Sequence, residues 1–180
     1  MKFRSQLFVP AALAAVFLAP LVVAWAIYHQ PAWHPRGGLQ HGELLSPAQR
    51  FAAPPLITAA GEQLEPSLFQ GRWTLLYRSA GQCDHACRVL MDTLGRVRLA
   101  QGRAMNRVQR VLVEPGPLVA DANLAGGDLQ VAAAARWPLP SGSVYLLDPG
   151  GNLVLRYRPG FDPQGLLKDL QHLLRATGEG

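Results

Sequence analysis

The chain contains two cysteines, Cys83 and Cys87, with three residues between them. We predict that they lie in the turn between a central strand and the helix that follows it, where unpaired N–H groups and the helix dipole lower the pKa of a thiol. Cys83 precedes the predicted helix and is expected to be the more exposed thiol, and Cys87 the more buried one. The pair therefore predicts thiol–disulfide exchange, with Cys83 as the attacking thiol and Cys87 as the resolving thiol.

Two other interpretations of the cysteine pair remain open. One is a stabilising disulfide in an oxidising compartment, although a loop this short removes little entropy from the unfolded chain. The other is metal binding, since two thiolates are ligands that copper(I) prefers. The spacing alone does not choose among the three.

The elements that position the cysteines follow from the apolar patterning. Strands are predicted at residues 73–79, 108–114, 143–148 and 153–158, and helices at residues 87–101 and from Asp162-Pro163 onward. Residues 115–139 are ambiguous, with one or two short helices as the expectation. A β-α-β half followed by a β-β-α half is the thioredoxin arrangement. We therefore predict an α/β fold, with a thioredoxin-like central mixed sheet flanked by helices and preceded by one N-terminal transmembrane helix.

The N-terminal segment has the composition of a membrane-spanning helix. Residues 7–28 contain no charged side chain, and about 20 apolar residues suffice to cross a bilayer. Lys2 and Arg4 favour an N-terminus that stays inside. A cleaved signal peptide is the alternative, because Ala24-Trp25-Ala26 has the small-x-small form, but the apolar run is longer than is usual for such signals. We expect a single-pass protein of the inner (cytoplasmic) membrane with a periplasmic C-terminal domain.

The composition divides the chain into an anchor (1–28), a linker rich in proline and glycine (29–55) and a thioredoxin-like domain (56–180). The net charge of +5, from 17 basic and 12 acidic residues, is spread along the chain. A membrane surface or an acidic partner suits this charge better than nucleic acid does. No catalytic triad, phosphate-binding glycine loop or carboxylate pair supports a hydrolase or a nucleotide-dependent enzyme.

Three stretches of the sequence resemble the Sco/SenC family. They are Gly71–Tyr77, the Cys83-x-x-x-Cys87 motif and Val144–Gly151. Proteins of that family are membrane-anchored, thioredoxin-fold factors for cytochrome c oxidase assembly. The resemblance implies copper(I) bound by the two cysteines and a histidine, or thiol–disulfide exchange at a copper centre of the oxidase. The implied partner is a respiratory oxidase subunit or another redox or copper protein.

The histidine that binds copper in that family is missing from its expected place, which is occupied here by Pro140. His85, between the cysteines, is one substitute ligand, although an exposed turn residue is the simpler interpretation. The remaining histidines are not expected to bind metal; they are His29, His34 and His41 in the linker and His172 on the last helix.

Pro140, or Pro138, also suits the cis-proline that thioredoxin-like proteins place opposite the cysteine pair. This interpretation favours thiol–disulfide oxidoreductase activity in oxidase biogenesis over copper binding. A copper(I) chaperone with an altered third ligand and a non-catalytic interaction module with a structural disulfide are the alternative functions.

Overall fold

The computed structural model describes residues 3–29, 40–58, 60–116, 118, 128–133 and 137–178. The chain divides into two compact units, Met1–Gly38 and Leu39–Gly180. The first unit contains helix α1 (Phe3–His29). Among the described residues, no helix combines the length and the apolar character that crossing a membrane requires. The anchor expected at residues 1–28 remains a prediction.

The second unit is built on one mixed sheet. Its strands are β1 (Glu43–Arg50), β2 (Leu56–Thr58), β3 (Gln63–Leu64), β4 (Trp73–Arg78), β5 (Val108–Pro115), β6 (Asp128–Ala133), β7 (Val144–Leu147) and β8 (Asn152–Tyr157). Their order across the sheet is β1-β8-β7-β4-β5-β6-β2-β3. Strand β5 pairs in parallel with β4 and β6, and the other pairs are antiparallel. Helices α2 (His85–Leu99) and α3 (Pro163–Ala176) flank this sheet, which confirms the predicted thioredoxin-like architecture.

The central strands β4 and β5 are buried on both faces, as parallel pairs usually are. On one face, Leu75 and Leu112 pack with the apolar sides of α2 and α3, including Met91 and Leu170. On the other face, neighbouring residues of the same strands pack in a second cluster that contains Phe51, Phe69 and Trp137. The cysteine turn therefore leaves the end of a strand that is packed on both of its faces.

Strand β1 lies within the segment 29–55 that was expected to be a linker. Its hydrogen-bonded partner is β8, and Phe51, directly after it, is buried at 8% exposure. The sequence pattern missed this strand because its stability comes from the β8 edge and from the burial of one aromatic side chain, which no local periodicity reports.

The expectation of short helices in residues 115–139 was wrong for the described part of that range. Strand β6 occupies Asp128–Ala133 and lies between β5 and β2. Val131 is completely buried there, so tertiary pairing outweighs the helix propensity of the alanines. The rest of the ambiguous range, apart from residues 115–116, 118 and 137–139, lies outside the described residues.

Candidate thiol–disulfide site

The cysteine turn leaves the carboxyl end of β4 and enters α2 at a capped helix start. The Asp84 side chain is the N-cap and accepts a hydrogen bond from the Cys87 N–H at 2.9 Å. This cap starts the helix at His85 rather than at residue 87. Ser79 fixes the other end of the turn, because its N–H donates to the Val113 carbonyl at 3.0 Å.

Cys83 and Cys87 form a disulfide, with their Cα atoms 5.2 Å apart. Cys87 lies inside helix α2 and is only 4% exposed. Cys83 lies outside the helix, is half-buried and packs against the same core. The structure therefore agrees with the expected difference in exposure, with Cys83 the less buried residue of the pair.

Two arginines border the cysteine turn and make different contacts. Arg88 donates to the Cys83 carbonyl at 3.5 Å, so it lies next to the turn. Arg78 donates instead to the Leu139 carbonyl and ties the end of β4 to the segment that precedes β7. Beside them, burial and the Asp84 charge raise the pKa of the Tyr77 hydroxyl, which keeps that side chain neutral.

Glu114 is a site residue that the sequence analysis missed. It is 2% exposed, and its Oε1 accepts a hydrogen bond from the Cys83 N–H at 3.2 Å. A signal was present, since the two-residue period of β5 places Glu114 on the same face as Arg110 and Leu112, the face that α2 covers. A carboxylate that directly follows the apolar residues 111–113, on the face covered by α2, indicates a buried polar contact at the end of the strand.

His85, predicted as a substitute copper ligand, and Pro140, at the position of the family's histidine, are both exposed. Pro140 lies in the turn before β7 with an exposed ring, and its carbonyl accepts a hydrogen bond from the Tyr145 hydroxyl at 3.0 Å. His85 and His172 are both exposed. In the described part of the chain, no group of three or more His, Cys, Asp or Glu side chains is placed to hold a metal ion. The donor set therefore does not fit a copper site with two cysteines and a histidine.

A second polar cluster, also missed, is centred on Asp169 of helix α3. The Asp169 carboxylate is 5% exposed and accepts hydrogen bonds from the Tyr157 hydroxyl at 2.7 Å, from the Gly42 N–H at 3.0 Å, and from the His41 N–H, at 2.8 Å to Oδ2. The His41 ring Nδ1 lies 3.0 Å from Asp169 Oδ1. His41, expected in a linker, is thus part of the folded domain and fastens the start of β1 to α3.

Two glycines leave room for this cluster. A Cβ at Gly165 would lie 2.6 Å from the His41 Cβ, and a Cβ at Gly42 would lie 2.8 Å from the Tyr157 ring. Neither distance is compatible with a larger residue unless the cluster moves. The glycines thus allow the first strand and the last helix to approach closely.

The ionisation of the cluster follows from its hydrogen bonds. Burial favours the neutral form of Asp169, but the hydrogen bonds from His41, Tyr157 and the backbone outweigh it and hold the pKa of Asp169 below its usual value. Burial, followed by the contact with Asp169, raises the pKa of Tyr157 far above the ordinary tyrosine value. Asp169 is therefore an anion and Tyr157 a neutral donor near pH 7.

The parallel β4-α2-β5 unit, the β7-β8 hairpin and α3 together define a thioredoxin-like domain with a disulfide at the start of its first core helix. The family model described as "Transmembrane-like, thioredoxin-like, C-terminal domain" matches residues 73–177, and the chain belongs to this family. No curated protein sequence matches the chain.

Solved structures with the same fold include Sco proteins. Copper-bound ScoI from Arabidopsis thaliana is 14% identical, with a TM-score of 0.57 over 71% of this chain and 99% of that chain. Apo Sco1 from Thermus thermophilus is 20% identical, with a TM-score of 0.57 over 74% and 96%. A thiol peroxidase from Chromobacterium violaceum is 12% identical, with a TM-score of 0.53 over 75% and 91%. At these identities the likeness establishes the fold, and it confirms the resemblance to Sco proteins at that level.

Proposed function

We propose that this protein is a membrane-attached thiol–disulfide exchange factor that assists the biogenesis of a respiratory cytochrome c oxidase. The observation that carries the redox part is the Cys83–Cys87 disulfide at the start of α2, with one half-buried and one buried cysteine. The sequence stretches shared with Sco/SenC proteins support the oxidase as the target. The uncharged run at residues 7–28, preceded by Lys2 and Arg4, supports membrane attachment with an exported domain.

The proposed reaction transfers two electrons from the reduced cysteine pair to a partner disulfide. The Cys83 thiolate attacks one partner sulfur, forms a mixed disulfide and expels the other partner sulfur as a thiolate. Cys87 loses its proton to solvent, and its thiolate attacks the Cys83 sulfur. This second attack closes the Cys83–Cys87 disulfide and releases the partner as a dithiol. An external dithiol reductant must then supply two electrons to restore the reduced pair.

The position of the pair suits this sequence of steps. The N-terminus of α2 supplies unpaired N–H groups and a partial positive charge that favour a thiolate. Cys87 is covered by the core, so a partner disulfide meets Cys83 first. A disulfide kept only for stability needs neither this location nor this asymmetry.

A strain that carries Cys83→Ser together with Cys87→Ser is expected to lose most of its cytochrome c oxidase activity, because neither electron transfer nor mixed-disulfide formation remains. Oxidase activity and haem spectra of membranes measure the effect, with immunoblots to show that the variant is present in normal amount. Full oxidase activity with a normal amount of the variant would contradict the proposal and favour an interaction module with a structural disulfide.

Copper(I) chaperoning is the second candidate function, since ScoI from Arabidopsis thaliana, which shares this fold, has copper bound. The missing third ligand argues against it, and Pro140→His tests the position that the resemblance assigns to a histidine. We expect this variant to bind copper(I) at least about tenfold more tightly than the natural chain, because another donor bond adds more than the ~1.4 kcal/mol that a tenfold change represents.

Anaerobic competition titration of the reduced full-length protein in detergent measures this affinity, and Pro140→Gln is the matched control without an imidazole. If the natural chain already binds one copper(I) as tightly as the histidine variant, the result favours the chaperone function over dithiol exchange.

A further inference from the structure

Glu114 combines deep burial with direct contact to the cysteine turn. It ends the apolar part of β5, is 2% exposed, and accepts the Cys83 N–H through Oε1. The same oxygen accepts a second hydrogen bond from the Gln130 amide of the neighbouring strand β6, at 3.3 Å. The carboxyl group therefore joins the sheet to Cys83, the less buried of the two cysteines.

The surroundings of Glu114 contain donors but no cation within hydrogen-bond reach among the described residues. Both of its hydrogen-bond donors, the Cys83 backbone and the Gln130 amide, are neutral. A buried carboxylate in such a place interacts with nearby charges more strongly than an exposed one, because the effective dielectric constant is lower. Exposed Asp84, the other carboxylate of the turn, is screened by solvent.

We propose that Glu114 is a positioning and redox-tuning residue that holds the Cys83 backbone against the sheet and, by its negative charge, lowers the reduction potential of the Cys83–Cys87 pair. This inference rests on the proposed exchange function. It assigns a direction to the chemistry, because a lower potential makes the reduced pair a better electron donor to a partner disulfide.

The sign of the effect follows from the charge that reduction creates. Reduction of the disulfide by two electrons yields two sulfur atoms that carry thiolate charge or bind protons. A fixed negative charge beside Cys83 raises the free energy of the thiolate form but hardly affects the neutral disulfide. Glu114 therefore stabilises the oxidised state relative to the reduced state.

The test is the glutathione redox equilibrium of the purified full-length protein in detergent at constant pH. Glu114→Gln keeps the acceptor for the Cys83 N–H and removes the charge. We expect its equilibrium to shift about tenfold toward the dithiol, which corresponds to about 30 mV for a two-electron couple. Glu114→Asp keeps the charge and is expected to shift less, and Glu43→Gln, at an exposed carboxylate paired with Arg158, is expected to leave the equilibrium unchanged.

An equilibrium of Glu114→Gln within twofold of the natural protein overturns the proposal, as does an equal shift in Glu114→Asp. If Glu114→Gln does not fold by circular dichroism, Gln130→Glu adds a carboxylate beside Glu114 and must shift the equilibrium the other way, toward the disulfide. The measurement needs no biological partner. The two claims can therefore fail separately. If Glu114→Gln shifts the equilibrium as expected but oxidase activity does not depend on the cysteines, the proposed function is refuted and the role of Glu114 is retained.

Discussion

A Cys87→Ser protein is expected to accumulate as a covalent complex with its partner. Cys83 is the more exposed sulfur and still attacks the partner disulfide, but the buried thiol that releases the complex is gone. Most of the variant that has reacted with oxidised partner should therefore run as a larger species on non-reducing gels of acid-quenched cells. Dithiothreitol should reduce the mixed disulfide and remove that species.

Cys83→Ser is the matched control for this experiment. It leaves only the Cys87 thiol, which is 4% exposed, so little covalent complex should form. Mass spectrometry of the trapped species identifies the partner and the cysteine that it contributes. Stronger trapping by Cys83→Ser than by Cys87→Ser would reverse the assignment of attacking and resolving thiols, and no trapping by either would argue for a structural disulfide.

The second large effect is expected at Asp169, far from the cysteines in sequence. Asp169→Ala removes the acceptor from the Tyr157 hydroxyl and from the His41 and Gly42 N–H groups. A buried donor left without a partner costs about 1–3 kcal/mol. The Tyr157 hydroxyl is buried, whereas the His41 and Gly42 N–H groups are part-buried and add less, so the free energy of unfolding should fall by about 2 kcal/mol or more. Urea unfolding of the oxidised full-length protein in detergent, followed by tryptophan fluorescence, measures the loss.

The same cluster predicts a pH dependence on the acid side. The folded-state pKa of Asp169 lies below its usual value, and a carboxyl group in an unfolded chain titrates near 3.9. The stabilisation is therefore fully present above the unfolded pKa and is lost as the pH falls through the folded pKa. Asp169→Asn should be less stable than the natural protein near pH 6, and the difference should shrink as the pH approaches 3.

On the alkaline side the sign is opposite. The folded-state pKa of Tyr157 is raised by burial and by Asp169, so its contribution is present below the unfolded value of about 10 and is lost as the pH rises above it. Tyr157→Phe should remove this part of the alkaline destabilisation.

For the acid-side prediction, Asp92→Asn, at an exposed position of α2, is the control for a simple change in net charge. If it reproduces the pH profile of Asp169→Asn, the cluster does not act as described.

Much of the fold follows from the sequence because its signals are local. Alternating or continuous apolar runs located β4, β5, β7 and β8, and Asp162 before Pro163 located the start of α3. In the structure, Asp162 caps that helix through the Gln164 and Gly165 N–H groups. The positions of the two cysteines relative to the strand and helix, and their unequal burial, follow from the same local patterns.

Strands β1 and β6 were missed because their stability depends on distant partners. β1 pairs with β8, which lies about a hundred residues later. β6 lies between β5 and β2, so it is stabilised by pairing with strands that are distant from it in the sequence. A pattern within one segment reports propensity, whereas these two segments are strands because of the surfaces they meet.

The sequence by itself determined a thioredoxin-like domain with a cysteine pair at a strand-to-helix turn and no histidine at position 140. Only the tertiary structure decided which buried carboxyl groups contact the cysteine turn and the start of β1. Glu114 reaches the Cys83 N–H across 31 positions of sequence, and Asp169 reaches His41 across 128. Burial and hydrogen bonding fix the charge and the energetic effect of a carboxyl group. Both depend on neighbours that only the folded chain brings together.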